Sequence, residues 1–349
     1  MLRLTPIALL LSVLALAACG GSDDDDAAAT TTAPTETEAA EPLKVGLITD
    51  LGQLDDNGFN ELAFRGLTRA EEELGIEGRV VESASAADYI PNMTSLARQD
   101  YDLVIGVGFA QGDAIGKVAQ RFPETKFAII DVDQAFVPGK PANVQGLLFR
   151  EEEVGYLVGY LAGLVEKRRE GNDVISAVGG MKEPPVDRFI AGYFAGAKKA
   201  APGITVMHDY SQDWDDQAKC KELALNQIAR GSNVVFQVAG GCGLGALNAA
   251  GERDRWGIGV DADQSSLGDH ILTSAQKGVD SAVFLTIQSV KDGTWEGGGN
   301  ATFGLKEDGV GLGTVSPEVA DEDVDQVEAI KQQIVDGEVT GIPTEVGKS

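Results

Sequence analysis

Apolar strand-like runs and helical runs alternate along nearly the whole chain from about residue 43 onward. The strand-like runs are almost continuous in apolar residues, which is typical of parallel strands covered by helices on both faces. The pattern therefore predicts an α/β protein with mostly parallel sheets. The predicted strands are Lys44–Ile48, Arg79–Glu82, Leu103–Val107, Lys126–Ile130, Val144–Phe149, Val174–Val178, Ile204–His208, Val234–Val238 and Trp256–Val260.

The strand–helix series also occurs twice, once over residues 44–145 and again over 171–260. A chain of about 300 residues beyond its N-terminal segment exceeds one typical hydrophobic core. The sequence therefore predicts two Rossmann-like lobes that face each other across a ligand cleft. The predicted division is residues 43–146 and about 262–296 for lobe 1, and residues 147–261 and about 297–349 for lobe 2.

The N-terminus has the three parts of a secretory signal peptide. Arg3 supplies the positive region, residues 7–16 form a short apolar run, and Leu16-Ala17-Ala18-Cys19 has the small residues of a cleavage site. The apolar run is shorter than the roughly 20 residues that a spanning helix needs. Because a Cys at the cleavage position resembles the lipobox of bacterial lipoproteins, we expect residues 1–18 to be removed and Cys19 to be lipidated.

The segment from Cys19 to Pro42 is rich in Asp, Ala, Thr and Glu and has almost no large apolar residue. Such a composition cannot bury enough surface to order itself, so we expect a flexible tether. The predicted product is a protein body held outside the cytoplasmic membrane by acyl chains on Cys19.

The charge of the chain limits its partners. A formal net charge of −27 argues against nucleic acid and against docking on anionic lipid, both of which attract basic surfaces. The membrane is therefore expected as a partner only through the lipid anchor.

Two cysteines remain after Cys19. Cys220 lies in the first turns of a predicted helix, residues 216–229, and Cys242 follows the next strand. A helix start and the end of the following strand share one edge of the sheet in a βαβ unit, and the compartment is oxidising. We therefore predict a disulfide between Cys220 and Cys242.

Motifs that would indicate an enzyme or a cofactor are weak. Gly106-Val-Gly108-Phe-Ala-Gln-Gly112 follows a strand, but its spacing departs from the dinucleotide fingerprint. Tight turns explain these glycines better, and we expect no cofactor. His208 and His270 have no metal-ligand spacing, and no nucleophile elbow occurs. The sequence therefore predicts no metal site and no catalytic residues.

Polar groups at strand ends suggest a binding site instead. Asp50, Asp131 and Asp261 each follow an apolar strand, and Lys277 comes soon after Asp261. Carboxylates bind adjacent hydroxyls such as those of a ribose, and an ammonium adds donors. In open α/β sheets ligands bind at the carboxyl ends of the strands. These side chains predict a polyol or nucleoside site, although each alone suits a solvated or capping group.

Two aromatic residues stand at corresponding places in the two predicted lobes. Phe59 and Asn60 begin the helix after the first strand, and Phe189 lies soon after the first strand of the second series. Such a pair could enclose a planar base, although both would also suit the core. The Gly-rich turn from Gly240 allows the backbone to approach a ligand closely.

Taken together, these motifs resemble those of the basic membrane protein family, the substrate-binding lipoproteins of ABC transporters that are similar to purine nucleoside receptors. The resemblance covers about residues 43–291 and rests on Thr49-Asp50, Asp55-Asp56-x-Gly-Phe59-Asn60, Phe127-Ala-Ile-Ile-Asp131, Pro185-x-x-Arg-Phe189-x-x-Gly192, Gly240-Gly-x-Gly243-x-Gly245, Gly259-Val-Asp261-x-Asp-Gln264 and Ser274-x-x-Lys277.

The resemblance implies a type I periplasmic-binding-protein fold and a nucleoside ligand that is delivered to ABC permease subunits. It also implies a role for each matching residue. Phe59 and Phe189 would stack on the base, and Asp50 would bind the edge of the base. Gly240 would contact the ligand through its backbone. Asp131, Asp261 and Lys277 would hold the ribose. Leu51 replaces an amide side chain of the purine-reading members, so the identity of the base stays open. Nearby Asp133 is an alternative to Asp131 as a ligand of the ribose.

Other functions remain open at this stage. The same fold serves many ligands, so the solute could be a sugar or another small polar molecule. A binding module that signals without transport would need the same closure of the lobes. A secreted hydrolase that cleaves nucleosides has no catalytic motif to support it.

Overall fold

A computed structural model describes residues 41–52 and 54–347. The predicted signal peptide, the lipidated Cys19 and nearly all of the tether lie outside the described residues. Within them, no helix combines the length and the apolar character needed to cross a lipid bilayer.

Strands and helices alternate as the sequence predicts. The strands are β1 (Lys44–Ile48), β2 (Glu77–Val81), β3 (Leu103–Gly106), β4 (Lys126–Ile130), β5 (Val144–Phe149), β6 (Val174–Gly179), β7 (Thr205–Tyr210), β8 (Val234–Val238), β9 (Trp256–Asp261), β10 (Ile271–Lys277), β11 (Asn300–Phe303) and β12 (Val310–Leu312). The helices are α1 (Phe59–Leu74), α2 (Tyr89–Arg98), α3 (Gly112–Ala119), α4 (Glu151–Lys167), α5 (Pro184–Ala200), α6 (Gln217–Ala229), α7 (Gly240–Glu252), α8 (Val279–Lys291) and α9 (Asp321–Val335).

These strands form two sheets of the same design, which confirms the predicted α/β fold with two lobes. The first sheet has the order β11-β5-β4-β3-β1-β2, and the second has the order β12-β10-β9-β8-β6-β7. Each strand of one sheet therefore has a counterpart in the other, for example β4 and β9, or β5 and β10. Pairing is parallel except between β10 and β12.

The division of the chain between the lobes differs from the prediction. Strand β10 lies in the second sheet, although residues 262–296 were assigned to lobe 1, and β5 and β11 both lie in the first sheet, although residues 147–149 and 300–303 were assigned to lobe 2. Strands β10, β11 and β12 were missed because their sequences lack a continuous apolar run. In β10, Thr273, Ser274 and Gln276 interrupt it, yet Thr273 and Ser274 are fully buried.

Helices α4 and α5 pack closely against each other through glycines of α4. A side-chain carbon at Gly159 would collide with the carbonyl oxygen of Tyr193, so only glycine allows this approach. These two helices contribute to the largest buried apolar cluster, which also includes residues of both sheets.

The predicted disulfide between Cys220 and Cys242 is confirmed. It joins the first turn of α6 to the first turn of α7, with 5.6 Å between the two Cα atoms. Both cysteines are fully buried, in a small apolar cluster on one face of the second sheet. The bond therefore ties together the two segments that follow β7 and β8.

Candidate ligand-binding site

A cavity of about 270 Å³ lies between the lobes at the carboxyl ends of the strands. This is near the lower end of the range for small-molecule sites, roughly 300–1,000 Å³. All eight residues predicted as ligand-binding contribute to its wall, namely Asp50, Phe59, Asn60, Asp131, Phe189, Gly240, Asp261 and Lys277. Sequence reasoning therefore selected residues that the fold brings to one place, while their contact with a ligand stays a prediction.

Asp50 is held in a fixed orientation after β1. Its Oδ1 accepts hydrogen bonds from the Tyr89 hydroxyl at 2.6 Å and the Leu51 backbone N–H at 2.7 Å. A side-chain carbon at Gly108, where φ is +104°, would collide with the carboxylate, so this turn requires glycine. Burial raises the pKa of Asp50 to about 6, although both hydrogen bonds lower it. Sequence reasoning did not identify Tyr89 as a partner of Asp50.

Asn60 is buried beside Asp50. Its Oδ1 accepts a hydrogen bond from the Asp50 backbone N–H at 3.0 Å, which fixes the amide so that its NH₂ group remains as a donor. The Asp56 carboxylate accepts bonds from the backbone N–H groups of Gly58, Asn60 and Glu61 at 2.9–3.2 Å and so caps α1. The start of α1 is thereby held against the cavity.

Lys277 connects the two lobes at the inner end of the cavity. It ends β10, is 2% exposed, and donates to both oxygens of Asp131, which follows β4, at 2.7 Å each. Its Nζ also lies 5.1 Å from the ring centre of Phe59 and 4.8 Å from that of Phe149. Burial alone would lower the pKa of Lys277, but nearby carboxylates led by Asp131 raise it above its ordinary value. The ammonium is therefore charged across the physiological range.

Asp261 ends β9 on the other side of the same cation. It lies in a buried position, and no hydrogen bond to its carboxyl oxygens occurs among the described residues. Burial raises the pKa of Asp261 to about 7, with Lys277 lowering it and Asp131 raising it. Near neutral pH this carboxyl can therefore donate as well as accept a hydrogen bond.

Asp133, the alternative to Asp131, is engaged elsewhere. Its Oδ1 accepts from the Ala135 backbone N–H and from the Asn300 side chain, each at 2.8 Å. Asp133 thus stabilises the turn after β4, whereas Asp131 lies in the cavity wall.

Trp214 and Glu183 are cavity residues that sequence reasoning missed. Trp214 lies in the loop between β7 and α6, is half-buried, and its ring packs on the backbone of Gly180. An aromatic residue in a loop at the carboxyl end of a strand is the same signal that identified Phe59. For Glu183, burial raises the pKa to about 7, with Asp50 and Asp131 adding to the rise.

Phe189 has a second environment besides the cavity. The residue is 2% exposed, and its ring lies edge-on to Phe236 with 6.1 Å between the ring centres. Phe189 is therefore largely a core residue of α5, and Trp214 is the more accessible aromatic on lobe 2.

Metal binding has no support from this site. In residues 41–52 and 54–347, no group of three or more metal-ligating side chains is arranged to hold an ion. The cavity wall combines aromatic rings, acceptors and one ammonium, which suits a small ligand with a flat part and a hydroxyl-rich part.

The fold and the cavity define a solute-binding protein with two lobes. The chain resembles a solved solute-binding protein of an ABC transporter system from Aeropyrum pernix K1, with 30% identity and a TM-score of 0.79, over 86% of this chain and 94% of that one.

Comparison of sequences then gives the family. Residues 43–343 match the family described as ABC transporter substrate-binding protein PnrA-like. The ABC transporter nucleoside-binding protein BmpA of Lactococcus lactis is 34% identical, over 88% of this chain and 91% of the relative. The CD4+ T-cell-stimulating antigen of Listeria innocua is also 34% identical, over 87% and 89%. The chain belongs to the PnrA-like family of ABC transporter substrate-binding proteins, which confirms the resemblance found in the motifs.

Proposed function

We propose that this protein captures a nucleoside between its lobes and delivers it to the permease of an ABC transporter. The observation that carries the proposal is the composition of the cavity, in which aromatic side chains from both lobes accompany Asp131, Asp261 and Lys277. The name of the Lactococcus lactis relative supports the same ligand class. The protein performs no chemistry on the ligand in this proposal.

The base would lie between Phe59 of lobe 1 and Trp214 of lobe 2. Both residues contribute to the cavity wall, and their accessible rings offer the flat apolar faces that a base stacks on. Phe189 would support the wall from behind, since it is packed against Phe236. Asp50 and Asn60 would bind the polar edge of the base with one acceptor and one donor.

The ribose would lie at the inner end of the cavity. Asp131, Asp261 and Lys277 meet there, and carboxylates bind pairs of adjacent hydroxyls well. A bound ribose would compete with Lys277 for the oxygens of Asp131. The carboxyl of Asp261 has its hydrogen-bonding capacity available for the sugar.

The site of action would be outside the cytoplasm, with the protein anchored by a lipid on Cys19. Relatives from Pyrococcus abyssi and Pyrococcus horikoshii are described as lipoproteins, and the N-terminal sequence has the corresponding cleavage signal. The permease subunits would then receive the ligand at the membrane surface. Mass spectrometry of the protein from a membrane fraction, before and after Cys19→Ser, tests the anchor.

Calorimetric titration with adenosine, guanosine, inosine, cytidine, uridine and ribose tests the ligand class. We expect tight binding of at least one nucleoside and none of ribose. Phe59→Ala should weaken that binding by about 1–3 kcal/mol, the range for one stacked base. Binding of ribose alone would instead support a sugar receptor, and recovery of cleaved nucleoside after long incubation would support a hydrolase.

A further inference from the structure

Within residues 54–347 the chain passes between the two lobes at three places, and one of these passages has a buried carboxylate next to the cavity. Strand β5 belongs to the first sheet, and α4, which follows it, packs on α5 of lobe 2. Strand β10 belongs to the second sheet, and α8 packs on α1 of lobe 1. The third passage lies between β11 and β12. Glu151, the first residue of α4, stands at the first passage, and Lys277 stands at the second.

Glu151 is in direct contact with Lys277 although it does not contribute to the cavity wall. Its side chain is fully buried, and its Oε1 forms an ion pair with Lys277 Nζ at 2.9 Å. Its Oε2 accepts a hydrogen bond from Arg188 of α5 at 3.4 Å. Burial raises the pKa of Glu151 to about 7, while Lys277 and Arg188 lower it. A buried carboxylate between two cations thus lies directly behind the ammonium that faces the cavity.

The two carboxylates that contact Lys277 lie on different parts of the fold. Asp131 lies on lobe 1 and in the cavity wall, so it would turn toward a ligand and would move with lobe 1 when the cleft opens. Glu151 lies at a passage between the lobes and is tied to α5 through Arg188. Glu151 is therefore the partner that can keep Lys277 in place when Asp131 is engaged elsewhere.

We propose that Glu151 is a positioning residue that holds the Lys277 ammonium at the inner end of the cavity for the sugar of a bound nucleoside. The proposal rests on the proposed function in its assignment of the ligand. The position of the ammonium itself does not depend on that assignment. Loss of Glu151 should therefore affect ligand binding through Lys277 alone.

A double-mutant cycle tests this dependence in the full chain. Glu151→Gln keeps the size and shape of the side chain and removes its charge, so we expect it to fold. It should weaken binding of the best nucleoside among adenosine, guanosine, inosine, cytidine and uridine by roughly tenfold. In a Lys277→Met background the same change should leave affinity unchanged. An equal loss in both backgrounds would show a general structural role and overturn the proposal.

Glu153→Gln is the matched control. Glu153 lies in the same first turn of α4 and accepts a hydrogen bond from the Leu305 backbone N–H at 2.8 Å, with no contact to Lys277. It should leave nucleoside affinity within twofold of the wild type. If Glu151→Gln does not fold, Glu151→Asp retains the charge but shortens the reach, and it should show a smaller loss of affinity in the same cycle.

The ammonium can also be observed without any ligand. In protein labelled with ¹⁵N-lysine, the Lys277 ammonium should give a resonance protected from exchange, because it is buried and held by two carboxylates. Glu151→Gln should shift that resonance and speed its exchange, whereas Glu153→Gln should not. An unchanged resonance in Glu151→Gln would overturn the proposal. If no nucleoside binds the wild type, the proposed function fails, but this spectrum still decides the role of Glu151. The spectrum also decides that role if Lys277→Met binds nucleoside too weakly to measure.

Discussion

Asp131 and Asp261 occupy equivalent positions in the two lobes yet have different surroundings. Asp131 follows β4 and Asp261 ends β9, the counterpart of β4 in the second sheet. Both have left-handed backbone, with φ of +69° and +63°, and both lie in the cavity wall. Asp131 accepts two bonds from Lys277, whereas among the described residues the Asp261 carboxyl has no hydrogen-bonding partner.

The difference arises from the next pair of equivalent strands. Strand β10 ends at Lys277, while its counterpart β5 ends at Phe149, two residues before Glu151. The Lys277 ammonium therefore lies near three carboxylates, those of Asp131, Asp261 and Glu151. It forms ion pairs with Asp131 and Glu151. The repeated fold thus places an aspartate at the same position in both lobes. Lys277 makes Asp131 part of a bridge between the lobes and leaves the Asp261 carboxyl available.

Removal of the cation should have the largest effect. Lys277→Met leaves Asp131 buried without its partner and Glu151 with Arg188 alone, and breaking a buried pair in this way costs about 3–5 kcal/mol. Urea unfolding at pH 8 measures the loss. Lys221→Met, which removes an exposed pair with Glu252, is the control and should cost about 0–1 kcal/mol. A loss below that of the control would show that Lys277 does not stabilise the bridge.

Sequence reasoning identified residues of the cavity wall where single residues follow continuous apolar strands, and their contact with a ligand stays a prediction. Asp50, Asp131 and Asp261 were found in this way, because the carboxyl end of a parallel strand fixes the place of the next residue. Trp214 and Glu183 were missed because they lie in loops and helix starts, whose approach to the cavity depends on the packing of both lobes. Glu151 was missed for another reason: three acidic residues begin α4, and only the fold shows which one is buried.

The boundaries of the lobes were harder to predict for a physical reason. Strand β11 pairs with β5, which lies far from it in the sequence, and strand β10 contains polar residues in its interior. Polar residues such as Thr273 and Ser274 are buried there because they find hydrogen-bonding partners in lobe 2, the carbonyl of Gly313 and the N–H of Gln264. A local pattern of hydropathy contains no information about such partners.

Lobe 2 differs from lobe 1 also in having a disulfide bond, and reduction of this bond should have a large effect on stability. The Cys220–Cys242 bond closes a loop with a sequence separation of 22, which by chain entropy is worth about 3 kcal/mol. Thermal unfolding with and without a reducing agent, beside the Cys220→Ser/Cys242→Ser variant, measures it. Reduction of that variant should have no further effect. An unchanged melting temperature of the wild type on reduction would contradict the prediction.

The aromatic residues of the two lobes can be compared by their different roles. Trp214→Ala should weaken nucleoside binding by about 1–3 kcal/mol, as loss of a stacking partner does, with a smaller effect on stability. Phe189→Ala should instead lower the free energy of unfolding by about 3–5 kcal/mol, because it leaves a cavity in the core. Calorimetric titration and urea unfolding of both variants separate these effects. Strong loss of affinity only in Phe189→Ala would restore Phe189 as the stacking partner.

A further expected effect concerns the Asp261 carboxyl and depends on pH. Burial raises the pKa of Asp261 from 3.8 to about 7, so between these values the folded protein binds a proton that the unfolded chain has lost. Rising pH therefore favours the unfolded chain, by about 1 kcal/mol per pH unit below pH 7. Asp261→Asn removes this dependence, so its stability relative to the wild type should increase from pH 5 to 7 and then level off.

The matched variant Asp131→Asn sharpens the comparison between the two acids. Asp131 is the partner of Lys277, so Asp131→Asn should destabilise the protein at both pH 5 and pH 8. Asp261→Asn, in contrast, should gain stability relative to the wild type as the pH rises. Urea unfolding of the wild type and both variants across this range gives the three curves. Asp50 and Glu183, whose pKa values are also raised, cancel in the difference between the wild type and Asp261→Asn, whereas Asp131→Asn also removes a charge that raises both of these pKa values. Parallel curves for the wild type and Asp261→Asn would mean that Asp261 is ionised throughout and has a partner in solution.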